Sequence, residues 1–383
     1  MKAYISLFSS GGVGCYGVKE EGYECIATSE LNPKRIEIQK NNNKCKYEEG
    51  YIAGDITQEE TKKRLFSVIK NFKEKEKIES IDLLIATPPC QGMSVANHKK
   101  NDELKRNSLI VESLIITQKI KPNYFVFENV RAFLKSVCTD IDNKNKTIEE
   151  AIHTHLSKDY VIASKIINFK DYGSYSSRTR TLVIGVKKSL KLSPLLLFPD
   201  KVESKVLKEV IGDMKSLKEM GSIDKKDIYH NFKSYKPHMR EWIKGIKEGE
   251  SAFDNKLDKN KPHQIKDGIL VININKNGDK YKRQLWDKVA PCIHTRNDIL
   301  ASQNTIHPID DRVFSIRELM KLMSIPNSFN WSSIKESELN KLPLVEKVKY
   351  LKLHELNIRR CIGEAVPTII FSQIARKIKL LQS

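Results

Sequence analysis

The chain has 383 residues, 39% hydrophobic and 30% charged, enough for a real core, too ordered a composition for global disorder, and long enough for two domains. No apolar run approaches the roughly 18 residues that span a bilayer, and MKAYISLFSSGG reads as a first strand instead of a signal peptide, so no membrane association is expected. Seven cysteines without a C-x-x-C pair argue against structural zinc or a disulfide framework and for a reducing cytoplasm, while a formal charge of +19 fits either solvated lysine faces or a polyanion such as nucleic acid.

In chain order, AYISLF is a short apolar strand that runs into the turn SSGGVGCYG, and a helix follows to about Glu21. YECIATSE is a second strand ending on Glu30, and Pro33 then occupies a first helical position. YIAGDI precedes a lysine-rich amphipathic segment, Gln58 to Lys77. The strand IDLLIATPP, a helix near Ser108 to Ile120 and the strand NYFVFENV come next, with VIASKIINFKDYG and TRTLVIGV as a final pair of strands. Alternating strands and helices with near-continuous apolar strands predict a doubly wound α/β sheet that binds ligands at the carboxyl ends of its strands. The rhythm lapses after Val186. From Lys187 to about Trp286 the chain is rich in Lys, Asp, Asn and Gly with isolated aromatics, which predicts a small second domain of short elements. IRELMKLMSIP and AVPTIIFSQIARKIKLL read as amphipathic helices near the end.

Several strand ends carry chemistry. Glycines after the first strand let a backbone approach a ligand, and the next helix offers free N–H groups. Glu30 ends the second strand, where a ribose hydroxyl is gripped, and Asp55 follows the third, where an adenine amino group can be met. Each acid is also a reasonable helix cap, but three such features on successive strands favour a nucleoside-containing cofactor. Cys90 follows Pro88 and Pro89, which fix φ and remove two N–H donors. It is either a buried filler or a thiol held in place to react, and the polar QGMS after it favours the second. Glu128 and Asn129 emerge from a hydrophobic strand, where a carboxyl is pushed toward its protonated form and can donate a proton, or can cap the next segment. Arg178 and Arg180 alternate onto one face of a strand and can hold an anion or a carboxylate. The H-x-E and P-C-x-x-C pattern of a zinc deaminase is missing. The set suits methylation of a cytosine ring carbon: C5 is a poor nucleophile until a thiolate adds at C6 and a proton donor engages N3.

With these residues in place, the sequence resembles the DNA (cytosine-5)-methyltransferases of bacterial restriction–modification systems, which use S-adenosylmethionine. SLFSSGGVGCYGVKEEGYE is similar to their cofactor loop, PPCQGMS to the Pro-Cys-Gln nucleophile motif, and ENV to Glu-Asn-Val. YGSYSSRTR resembles the Gln-x-Arg-x-Arg block, IHPIDDRVFSIRELMKLMSIP the late arginine-containing block, and IGEAVP the terminal Gly-Asn-Ala-Val-Pro. Six motifs in the family's order, over most of the chain, make the resemblance specific.

The resemblance implies a Rossmann-like methyltransferase domain, residues 1–186 completed by 357–383, and a smaller DNA target-recognition domain, residues 187–356, with DNA in the cleft between them. It implies Cys90 as nucleophile, Glu128 on N3 and the exocyclic amine, and Arg180 with Arg178 orienting that carboxyl and the flipped base. Phe8, Gly11, Gly12, Glu30, Leu31, Asp55, Ile56, Pro88, Glu364 and Val366 would surround S-adenosyl-L-methionine. Gln91 and Ser94, in a catalytic loop of about Gly92 to Lys105, and Asn129 would serve the DNA substrate. The expected partners are double-stranded DNA and a cognate restriction endonuclease acting on the same site, with the enzyme itself a monomer and no metal. Ser10, Val13, Ser176 and Glu364 depart from the family's usual Gly, Gly, Gln and Asn. Rival readings are a tRNA cytosine-5 methyltransferase and a non-catalytic DNA-binding relic.

Overall fold

Lys2–Leu7 (β1) is buried at five successive positions, which only a strand covered on both faces can satisfy. The computed structural model describes residues 1–89, 104 and 107–382; Cys90, Gln91, Ser94 and most of the expected catalytic loop lie outside the described residues. After β1 come Val13–Glu20 (α1), Tyr23–Glu30 (β2), Pro33–Asn41 (α2), Tyr51–Ala53 (β3), Glu59–Glu76 (α3), Leu83–Ala86 (β4), Leu109–Ile120 (α4) and Tyr124–Val130 (β5). A small hairpin, Val137–Thr139 (β6) with Asn145–Thr147 (β7), leads into Ile148–Leu156 (α5), then Tyr160–Asn168 (β8) and Thr179–Lys187 (β9). α2 has Pro33 at its start and Asn32 as N-cap, accepting from the Lys34 N–H. α5 starts on a Thr147–Glu150 capping box.

The seven-stranded sheet has the order β3-β2-β1-β4-β5-β9-β8. β1 to β5 run parallel, and β9 is antiparallel to both β5 and β8. Alternate residues face opposite layers. Ile5, Leu7, Leu84, Phe125 and Phe127 meet α3, α4 and α5, whereas Tyr4, Leu83, Ile85, Tyr124 and Val126 meet α1, α2 and the last helix, Thr368–Leu381. The doubly wound expectation holds.

The chain forms two compact units. The first comprises Met1–Tyr172, Thr179–Val202 and Ala365–Ser383, and the second Gly173–Arg178 with Glu203–Glu364. The sequence reading placed the changes after 186 and 356. The first boundary lies later because Leu197 and Phe198 bury against the β9 side of the sheet core. The second lies later because one helix runs unbroken from Leu344 to Glu364. Within the second unit are Leu207–Ile211 (α6), Pro237–Ile243 (α7), the antiparallel pair His263–Lys266 (β10) and Ile269–Ile272 (β11), Ile316–Leu322 (α8), Glu336–Leu339 (α9) and Leu344–Glu364 (α10). The returning helix Thr368–Leu381 is then α11. Trp242, Ile243, Tyr281, Leu300, Ile306 and Val313 form an apolar core in the second unit.

The arginine-containing block supplies a second, ionic core there. Arg312, 1% exposed, grips both oxygens of Glu318 at 2.7 Å and Asp310 at 2.8 Å. Glu318 also closes a capping box with Ser315 at the start of α8. Although burial opposes its charge, the Arg312 guanidinium holds the Glu318 carboxyl well below the usual carboxylate range.

Candidate active site

Parallel strands deliver their carboxyl ends to one edge, so the candidate residues of the first unit fall in a row. Following the strand order, Asp55 lies past β3, Glu30 ends β2, Phe8 follows β1, Pro88 follows β4 and Glu128 belongs to the end of β5. β9 enters the sheet antiparallel at this edge and brings Arg180 opposite Val130.

The loop after β1 takes a left-handed path at Phe8 (φ 59°), Ser10 (φ 50°) and Gly12 (φ 81°). Only glycine takes such angles freely, and each non-glycine costs about 1 kcal/mol or more. Hydrogen bonds offset that cost. The Ser10 N–H donates to Glu30 Oε2 at 3.0 Å, and Gln39 Nε2 donates to the Ser10 carbonyl at 2.6 Å. Ser10 thus follows the backbone path expected of the glycine it replaces. A Cβ on Gly12 would stand 3.1 Å from Gln39 Cγ. The second Glu30 oxygen accepts from the Asn32 N–H at 3.1 Å, so main-chain donors fix both oxygens while lone pairs remain for a hydroxyl. Leu31 beside it is 68% exposed and Ile56 is buried. Asp55 Oδ1 accepts from the Thr57 N–H and hydroxyl, 2.9 and 2.8 Å away, so Asp55 also shapes the turn into α3.

The other end of the row is tied together through β4 and β5. Glu128 is 5% exposed, and Arg180 Nε lies 3.1 Å from its Oε1. The two side chains thus form a largely buried ion pair at the end of β5. Asn129 Nδ2 donates to the Pro88 carbonyl at 2.9 Å, which anchors the main chain two residues before Cys90. Thr87, which the sequence reading overlooked, donates its hydroxyl to the Phe8 carbonyl at 2.9 Å and so joins this turn to the glycine loop.

Arg178, Glu364 and Val366 make contacts that the motifs did not indicate. Arg178 belongs to the second unit, and its guanidinium donates to the carbonyls of Gly363 at 3.0 Å, Ile293 at 3.3 Å and Glu364 at 3.4 Å. Glu364 therefore meets Arg178 through its carbonyl. Val366 packs against α1: a Cβ on Gly14 would lie 3.2 Å from Val366 Cβ and 3.0 Å from the Phe371 ring, and one on Gly17 2.2 Å from the Thr368 carbonyl. These two glycines let α1 and α11 touch. Among the described residues no group of His, Cys, Asp or Glu could hold a metal, and no helix is long and apolar enough to cross a membrane.

Sheet order, the glycine turn after β1 and the acid closing β2 define the class, a Rossmann-like doubly wound α/β fold. Solved structures agree on the fold. A prophage-encoded E. coli protein described as a DNA modification methyltransferase superposes with TM-score 0.67 at 18% identity, covering 100% of this chain and 99% of that one. Spodoptera frugiperda DNMT2 gives 0.57 at 14% identity over 99% and 100% of the two chains. Residues 3–380 match the family described as C-5 cytosine-specific DNA methylase, and the chain belongs to that family. Among its relatives, the Type II methyltransferase M1.HgaI of Avibacterium volantium is 30% identical over 98% of this chain and 97% of its own length. The Type II methyltransferase M.XorII of Xanthomonas oryzae pv. oryzae is 23% identical over 86% and 78%.

Proposed function

We propose that this DNA cytosine-5 methylase is the modification member of a type II restriction–modification system, acting on a cytosine flipped from duplex DNA. The observation that carries the mechanism is the Glu128–Arg180 pair beside a strand end anchored by Asn129 to Pro88, immediately upstream of Pro89 and Cys90. Cys90 adds its thiolate to C6 of the base. Glu128 engages N3 and the exocyclic amine, and Arg180 holds that carboxyl in register. The ring then reacts as an enamine through C5. Flipping costs a few kcal/mol, which contacts to the extruded base offset.

S-adenosylmethionine, when bound, supplies the methyl group. The residues present fit it: a glycine-bearing loop that leads into the α1 N-terminus, Glu30 with both oxygens fixed for a ribose, exposed Leu31 and, past β3, Asp55 and Ile56. The relatives named as Type II methyltransferases support a cognate endonuclease as partner.

A duplex oligonucleotide carrying 5-fluorocytosine at the target site tests this reading. The wild-type chain should form a denaturant-stable adduct in the presence of the cofactor, and Cys90→Ala should form none while losing on the order of 10³-fold or more in rate. Bisulfite sequencing of DNA from expressing cells identifies the site. Methyl transfer to tRNA with none to duplex DNA would overturn the DNA reading.

A further inference from the structure

Lys44 carries a charge that the proposed mechanism does not use. It is 5% exposed, and its Nζ reaches Ser6 Oγ at 2.6 Å, Ser9 Oγ at 2.7 Å, Thr28 Oγ1 at 3.0 Å and Gln39 Oε1 at 3.0 Å. All four acceptors are uncharged, and among the described residues no carboxylate pairs with it. A buried ammonium is costly unless its hydrogens are all satisfied, and here four oxygens compete for three hydrogens.

The four acceptors are not scattered. Ser6 is buried next to the end of β1, Ser9 is in the loop that follows, Thr28 is on neighbouring β2, and Gln39 is the residue that holds the Ser10 carbonyl. The aliphatic stem of Lys44 passes beneath Gly12, with Cδ 3.4 Å from the place a Cβ would occupy there. We infer that Lys44 is a positioning residue for the cofactor loop: its ammonium clamps Ser9 and Gln39 directly and, through Gln39, holds Ser10 in a conformation that a serine does not take unaided. The inference rests on the reading of this loop as the S-adenosylmethionine site.

The experiment uses the full chain. Binding of S-adenosylmethionine and S-adenosylhomocysteine is measured by titration calorimetry, with binding of the duplex substrate by fluorescence anisotropy alongside. Lys44→Met keeps the length of the side chain and removes its donors. It should weaken both nucleosides at least tenfold and raise the cofactor KM similarly, with kcat at saturation and DNA affinity within about threefold of wild type. Adding Ser10→Gly should restore at least threefold of the lost affinity, because glycine takes the left-handed path without support. Nucleoside affinity within twofold of wild type in Lys44→Met, or a loss that Ser10→Gly leaves untouched, would overturn the inference. Should Lys44→Met fail to fold, Ser9→Ala decides: about threefold weaker binding supports the clamp and unchanged binding refutes it. A wild-type chain that binds neither nucleoside would instead remove the reading of the loop itself.

Discussion

At the scale of single residues, the Glu128 carboxyl and the Asn129 amide divide the work of one strand end. Glu128 faces Arg180, while Asn129 turns its amide onto the Pro88 carbonyl. Glu128→Gln keeps the shape but removes the acid, and methyl transfer should fall about 10²–10⁴-fold with DNA binding retained. An unchanged rate would take Glu128 out of the chemistry. Asn129→Ala acts differently, because it frees the main chain before Cys90 without touching the acid. Adduct formation with the fluorinated oligonucleotide should slow by about tenfold, the size of one lost, well-oriented hydrogen bond. A wild-type rate of trapping would show that the tether is only structural. The acid and the amide were legible as residues that leave an apolar strand. Their separate targets were not, since no spacing rule says where an amide points.

At the scale of elements, near-continuous apolar runs made β1, β2, β4, β5 and β9 readable, and Pro33 marked the start of α2. The alternation of side chains along a strand misled for Arg178 and Arg180. It applies only inside a strand, and β9 begins at Thr179, so Arg178 is free to turn to the carbonyls of 293, 363 and 364. The 21-residue α10 went unread because Leu344, Val345, Val348, Leu353 and Leu356 are exposed and blur its apolar face. Gly14 and Gly17 of α1 are contact residues for α11. Gly17→Ala tests this directly. Its methyl would meet the main-chain carbonyl of Thr368, which cannot swing aside as a side chain can, and the helices must part. Thermal unfolding should report a loss of about 1–3 kcal/mol, the usual cost of overpacking. A melting temperature equal to wild type would mean that α1 and α11 are not in close contact.

For the whole molecule, charge and pH are the accessible variables. A formal charge of +19 gains function only if it meets phosphates. The duplex Kd should then rise steeply with salt, with a log–log slope of about 0.9 for each phosphate neutralised. A flat response would return the lysines to solvated faces. The pH response should come from His307. Its Nδ1 accepts from the N–H groups of Ile309 and Asp310 at 3.2 and 3.0 Å, which only a neutral ring can do. Burial pushes its pKa down to about 4, with Arg312 and Arg283 acting in the same direction and Glu318 and Asp310 opposing them. An unfolded histidine titrates near 6.5. Between those values the unfolded chain binds a proton that the folded chain refuses, so stability is intact above about pH 6.5 and is lost as the pH falls toward 4. From pH 7.5 to pH 5 the loss amounts to about 2 kcal/mol. All three tryptophans, Trp242, Trp286 and Trp331, lie in the second unit, and the Trp286 ring packs edge-on against His307 at 5.3 Å. Urea unfolding followed by tryptophan fluorescence therefore reports the unit that contains the group. His307→Gln, which does not titrate, should flatten the difference between the two pH values, and a variant that keeps the wild-type difference would place the proton elsewhere.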